Sequence, residues 1–133
     1  MEKFLVTGGA GFIGSNLCKR LVAEGCFVRV VDNFLTGKRS NLAPILDKIE
    51  LIEADMGDPE VARSAMQGID VVLHEGALPS VPRSVDEPDL THRHCVDATF
   101  TLLMAARDAH VKRFVYAASS SAYGDTPTLP KVE

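Results

Sequence analysis

Thr7-Gly8-Gly9-Ala10-Gly11-Phe12-Ile13-Gly14 joins a short apolar run, Lys3 to Thr7, to a longer amphipathic one that starts at Phe12. The spacing Gly8-x-x-Gly11-x-x-Gly14 predicts a strand-to-helix turn shaped for a dinucleotide. Gly8 makes the tight turn. Gly11 has no side chain to hold a pyrophosphate away from the backbone, and Gly14 lets the helix pack on the strand. The helix amino terminus then offers free N–H groups and the positive end of its dipole to phosphate. Glycines also cluster in plain turns, so the reading depends on what surrounds them.

The flanking sequence alternates short apolar runs with longer amphipathic ones. Strands are predicted over Lys3 to Thr7, Phe27 to Asp32, Glu50 to Ala54, Asp70 to Leu73 and Arg113 to Ala118. Helices are predicted over Phe12 to Glu24, Arg39 to Leu46, Pro59 to Gln67, and from Asp86 or Pro88 to His110, the last with Val96, Phe100, Leu103 and Arg107 at helical spacing and its apolar side inward. Tyr123 to Glu133 reads as loop. Strand and helix in alternation give βαβ units and a parallel sheet, and near-continuous apolar strands such as Val71-Val72-Leu73 suit burial on both faces. The expected fold is a doubly wound α/β sheet, five strands in the order 3-2-1-4-5, in one domain over residues 1–133.

At 133 residues, 46% hydrophobic and 24% charged, the chain can bury a real core. A net charge of -4 gives no basic surface for nucleic acid, and no apolar run is long enough for a membrane span. Cys18, Cys26 and Cys95 lack metal spacing, and His92 and His94 point to different helix faces, so no metal site is expected. With no leader ahead of the first strand, a cytoplasmic protein with free thiols is expected.

The remaining polar candidates fall at the carboxyl ends of predicted strands, where ligands bind in open α/β sheets. Asp32 ends the second strand, 18 residues after Gly14. A carboxylate there can accept hydrogen bonds from an adenosine ribose and repels a 2′-phosphate, so NAD is favoured over NADP; Lys38 and Arg39 are the counter-indication. Asp55 ends the third strand, although Asp58, ahead of Pro59, is the better helix cap. His74-Glu75-Gly76-Ala77 ends the fourth strand, with His74 expected to be a structural hydrogen-bonder. Ser119-Ser120-Ser121-Ala122-Tyr123-Gly124 follows the fifth. Turn serines satisfying loop backbone are the plain reading of that stretch.

Thr-Gly-x-x-Gly-x-x-Gly resembles the extended branch of the short-chain dehydrogenase/reductase superfamily. The segments at His74, at Ser119, at Pro79-Ser80-Val81-Pro82-Arg83-Ser84 and at Tyr123 to Glu133 are similar to those of UDP-glucose and UDP-N-acetylglucosamine 4-epimerases. The resemblance implies a cofactor set of Gly8, Gly11, Phe12, Ile13, Gly14, Asp32, Asn33, Asp55, Met56, Gly76 and Ala77. Asp55 would accept the adenine amino group. Ser119 would be the catalytic serine, holding a substrate hydroxyl for proton transfer, with Ser80, Arg83, Ser120 and Ser121 on the sugar side.

The implied chemistry is inversion at C4 of a UDP-sugar through a 4-keto intermediate, with bound NAD and a homodimer as assembly. A dehydratase or decarboxylase of the same family is the first alternative. The chain departs from the pattern at Glu75, at Gly76 and Ala98 (alanine and glycine in the family), and at Cys95, which replaces an asparagine. Gly76 is expected to keep space open, and Glu75 fits if it faces solvent. The family's Tyr-x-x-x-Lys pair is missing: Ser120 follows Tyr116 by four residues, and Pro127 follows Tyr123. The expectation is therefore an incomplete chain, inactive alone, with a non-catalytic NAD-binding module as the alternative. Its unpaired strand edge is expected to promote association.

Overall fold

A computed structural model describes residues 1–132, so Glu133, the end of the expected loop, lies outside the described residues. Five strands, β1 (Lys3–Thr7), β2 (Phe27–Asp32), β3 (Glu50–Glu53), β4 (Val71–His74) and β5 (Arg113–Tyr116), form one sheet in the order β3-β2-β1-β4-β5. Every neighbouring pair is parallel, with Leu5 opposite Arg29 on one side and Val72 on the other. Parallel neighbours need long crossovers, and helices supply them. These are α1 (Phe12–Ala23), α2 (Arg39–Leu42), α3 (Pro59–Ala65), α4 (Val81–Asp86), α5 (Pro88–His92) and α6 (Ala98–Asp108).

Alternation along the strands divides the core in two. Val6, Val28 and Val30 join Cys18 and Leu21 of α1 with Leu42 and Ile45 on one face. Leu5, Val31 and Val72 join Ala62 and Ala65 of α3 with Leu102 and Ala106 of α6 on the other. Successive side chains of a strand point to opposite faces, so Leu5 and Val6 serve different layers.

Three elements differ from expectation. The long last helix starts at Pro88, one of its two expected starts, and runs to Asp108, but it is not regular throughout. A short helix not expected from the sequence precedes it: Ser80 caps α4 by accepting a hydrogen bond from the Arg83 N–H, Pro82 sits in its first turn, and α5 begins at Pro88. A π-helical segment, Arg93–Asp97, then joins α5 to α6. The stripe expected to face inward points outward: Phe100 is 63% exposed, and Val96 and Leu103 are exposed, while Ala98, Leu102 and Ala106 face the sheet. Small residues let α6 lie close to the strands, and the π segment shifts the register that a regular 3.6-residue repeat would give. Residues 43–48 form a 3₁₀ helix in place of the second half of the expected α-helix, with Pro44 in its first turn. Asp58 caps α3 as the sequence indicates, accepting from the N–H groups of Glu60 and Val61.

Candidate functional site

Order 3-2-1-4-5 puts the topological switch point between β1 and β4, and a cleft of about 380 Å³ opens there at the carboxyl ends of the strands. Its lining includes Gly8, Gly11, Phe12, Ile13 and Gly14 from the glycine turn, Asp32 and Asn33 after β2, Met56, and Gly76 and Ala77 after β4. The turn is built as its spacing predicts. A β-carbon on Gly14 would stand 2.4 Å from the Gly8 carbonyl oxygen, and one on Gly8 would stand 2.6 Å from Gly76 Cα. Gly8 also has φ +66°, in the left-handed region that glycine adopts without strain. Gly11 is the N-cap of α1 and no side chain caps the helix. The first-turn N–H groups are thereby left for an anion. Phe12 is 83% exposed at the mouth of the cleft, a large apolar surface that a planar ligand would cover.

Asp32 does more than wait for a ribose. It is buried, its Oδ2 accepts from the Ala10 N–H at 2.9 Å and its Oδ1 from the Phe34 N–H at 2.8 Å. One carboxylate thus ties the glycine turn to the loop after β2, and Gly37 packs against it. Arg39 is not available to a 2′-phosphate, because its guanidinium lies 4.4 Å over the Phe34 ring and pairs with Glu53. Among the phosphate-seeking candidates that leaves Lys38, exposed at the start of α2.

Three lining features escape the sequence reading. Glu75 faces the cleft rather than solvent, and burial pushes its carboxyl above the usual range. His94 reaches the cleft from the π segment, which a straight helical projection does not place there. Gly76 leaves no open space, because Met56 fills it: a β-carbon on Gly76 would stand 2.5 Å from Met56 Sδ.

The other candidates lie outside this lining. Asp55 accepts from the Gly57 N–H at 2.8 Å and pairs with Arg93 at 3.6 Å. Ser80 caps α4, and Arg83 sits 3.9 Å from Glu87. Ser119, Ser120 and Ser121 are exposed, with Ser119 capping the 3₁₀ turn Ser120–Tyr123 and donating to Ser121 Oγ at 3.1 Å. His74 is buried, and desolvation lowers its imidazole to about 4. No group of three or more metal-ligating side chains gathers among the described residues.

The family described as NAD dependent epimerase/dehydratase matches residues 4–133. The chain belongs to that family. Within the NAD dependent epimerase/dehydratase family, a UDP-glucose 4-epimerase of Klebsiella pneumoniae is 34% identical over 98% of this chain and 99% of its own. A UDP-glucose 4-epimerase structure from Stenotrophomonas maltophila, with bound NAD and formylated UDP-arabinopyranose, superposes with a TM-score of 0.89 at 33% identity, over 98% of this chain and 41% of that one. A UDP-N-acetylglucosamine 4-epimerase from Methanobrevibacter ruminantium, in complex with UDP-N-acetylmuramic acid, gives 0.90 at 34% identity, over 99% and 42%. The chain thus spans about two fifths of those two structures. No helix among the described residues is long and apolar enough to cross a membrane.

Proposed function

We propose that this chain is the NAD-binding portion of a nucleotide-sugar 4-epimerase acting on a UDP-hexose or UDP-N-acetylhexosamine. The observation that carries the reading is the glycine cradle at the switch point with the buried Asp32 carboxylate beside it, which supports a pyrophosphate at the turn and NAD over NADP. NAD, when bound there, supplies the hydride acceptor and donor. The residues of this chain bind and orient: the first turn of α1 faces the pyrophosphate, Asp32 the adenosine ribose, and Gly76 and Ala77 the nicotinamide half. Asp55 serves the adenine from the rim. Ser119, with Ser120, Ser121, Ser80 and Arg83, holds the sugar, and Ser119 aligns the 4-hydroxyl for proton transfer.

The 133 residues hold no Tyr-x-x-x-Lys, so no base stands beside Ser119 and the chain alone does not turn over. The same absence supports a second reading, an NAD-binding module without catalysis. A dehydratase of the same family shares the first half of the chemistry. The exposed Val96 of the π segment with Phe100 and Leu103 of α6 supports self-association as a homodimer, and the three free thiols suit the cytoplasm. Calorimetric titration with NAD and NADP tests the core of the proposal. NAD binding with little for NADP supports it, and absence of NAD binding to the folded chain overturns it. UDP-sugar turnover by the chain alone would overturn the expected inactivity.

A further inference from the structure

A chain of hydrogen bonds runs beneath the cleft from the end of β4 to the π segment. As the backbone leaves β4, the Glu75 N–H donates to the Thr7 carbonyl at 3.2 Å and the Gly76 N–H to Thr7 Oγ1 at 3.2 Å. Thr7 Oγ1 lies 2.6 Å from His74 Nδ1, and His74 Nε2 lies 2.9 Å from Thr99 Oγ1. The Thr99 hydroxyl donates to the Cys95 carbonyl at 2.6 Å. Thr7 is fully buried and His74 is 1% exposed, so water does not replace a missing partner.

One arrangement of protons satisfies every group. A hydroxyl has a single hydrogen to give. Thr99 gives its own to Cys95, so it accepts from His74, and the imidazole proton sits on Nε2. Nδ1 is then bare and accepts from Thr7, whose oxygen accepts from Gly76. With the proton on Nδ1 the Thr7 hydroxyl faces a donor and loses its acceptor. The charged imidazolium has the same conflict. Tyr116 lies against the ring at 5.5 Å between centroids and Phe114 meets it edge-on at 5.8 Å, which keeps the ring from turning.

We infer that His74, as a neutral imidazole with its proton on Nε2, is a positioning residue for the dinucleotide cleft. It fixes Thr7, which sets Gly76 against Gly8, and it ties the same wall to the π segment that brings His94 to the cleft. Tolerance is small, because Gly76 already lies within 2.6 Å of where a β-carbon on Gly8 would be. The inference rests on the dinucleotide reading, and two readouts keep them apart.

Long-range ¹H–¹⁵N NMR of the imidazole in the wild-type chain at pH 7 reports the proton directly. A proton on Nε2 is expected; a proton on Nδ1, or averaging of the two nitrogens, overturns the inference whether or not NAD binds. Calorimetry with NAD on Thr7→Val and Thr7→Ser then tests the positioning. Thr7→Val keeps the shape and removes the hydroxyl, orphaning the Gly76 N–H, and is expected to weaken binding about ten-fold. Thr7→Ser restores the hydroxyl and is expected to bind within about two-fold of wild type. Equal affinity of the two variants overturns the inference. Absence of NAD binding to the wild type overturns the functional reading, and the NMR result still decides the proton's place.

Discussion

Met56 fills the space that a side chain at Gly76 would take: a β-carbon there would lie 2.5 Å from Met56 Sδ and 2.8 Å from Met56 Cε. The two residues come from the ends of different strands, β3 and β4, and both line the cleft. The smallest residue is thus paired with a long, flexible thioether.

Gly76→Ala should therefore be cheap for the fold, because a thioether end can swing away, and costly for the cleft into which it swings. A stability loss under about 1 kcal/mol is expected, with NAD affinity falling several-fold. Gly14→Ala is the opposite case. Its β-carbon would meet the Gly8 carbonyl at 2.4 Å and Gly9 Cα at 2.8 Å, and backbone cannot yield as a side-chain end does. A loss of about 3 kcal/mol is expected. Urea unfolding of the two variants checks the ranking, and equal losses would contradict it.

Asp32→Ala should unfold more easily as well as lose NAD. The substitution leaves the Ala10 and Phe34 N–H groups without their acceptor, at a cost of roughly 2–4 kcal/mol for the pair. Asp32→Asn keeps one acceptor oxygen and should cost about half as much. If urea midpoints of wild type and Asp32→Ala coincide, the carboxylate is not holding the turn.

Much of the frame is legible from sequence because it rests on local chemistry. Gly8 and Gly14 announce a backbone path that a β-carbon would block, Asp58-Pro59 announces a helix start, and Val-rich runs announce strands covered on both faces. The cleft's third dimension is not legible in the same way. Glu75 and His94 reach it through the exit path of β4 and the π segment, which no linear period reports. The Val96, Phe100 and Leu103 stripe misleads for a related reason. Apolar spacing says that a face is covered, and by itself it does not say by what.

His74 should make the fold acid-sensitive. Its imidazole is lowered from 6.5 to about 4 by burial, so between those pH values the unfolded chain binds a proton that the folded chain refuses. Stability then falls with decreasing pH by about 1.4 kcal/mol per unit, roughly 3 kcal/mol in all. Above pH 6.5 the group contributes no slope. His74→Asn, which does not titrate, should show a shallower fall in urea midpoint between pH 7 and 4.5, and parallel curves would refute this role.

Cys18 should resist modification. Its thiol is buried between α1 and the sheet, and desolvation raises it from 9.0 to about 12. Cys26 and Cys95 are only half-buried. A maleimide at pH 8 should label those two in the native chain and reach Cys18 only in urea. Because the folded thiol stays protonated where the unfolded one ionises, stability should also decline as pH rises from about 9 toward 12. Rapid labelling of all three thiols without denaturant would show that α1 lifts off the sheet far more readily than its packing implies.

Glu75 should set the pH dependence of cofactor binding. Its carboxyl lines the same cleft as the glycine turn, and burial raises it above the ordinary range. At pH 8 it is ionised and repels the two phosphates of a dinucleotide, together with Asp32 on the opposite wall. As pH falls through its raised value the repulsion is lost, so NAD should bind more tightly in mildly acidic solution than at pH 8. Glu75→Gln removes the charge at every pH. It should tighten NAD several-fold at pH 8, and the advantage over wild type should shrink as the solution is acidified. Calorimetry at the two pH values checks both statements. An unchanged Kd for Glu75→Gln at pH 8 would mean that the carboxylate turns away from the phosphates once NAD is seated.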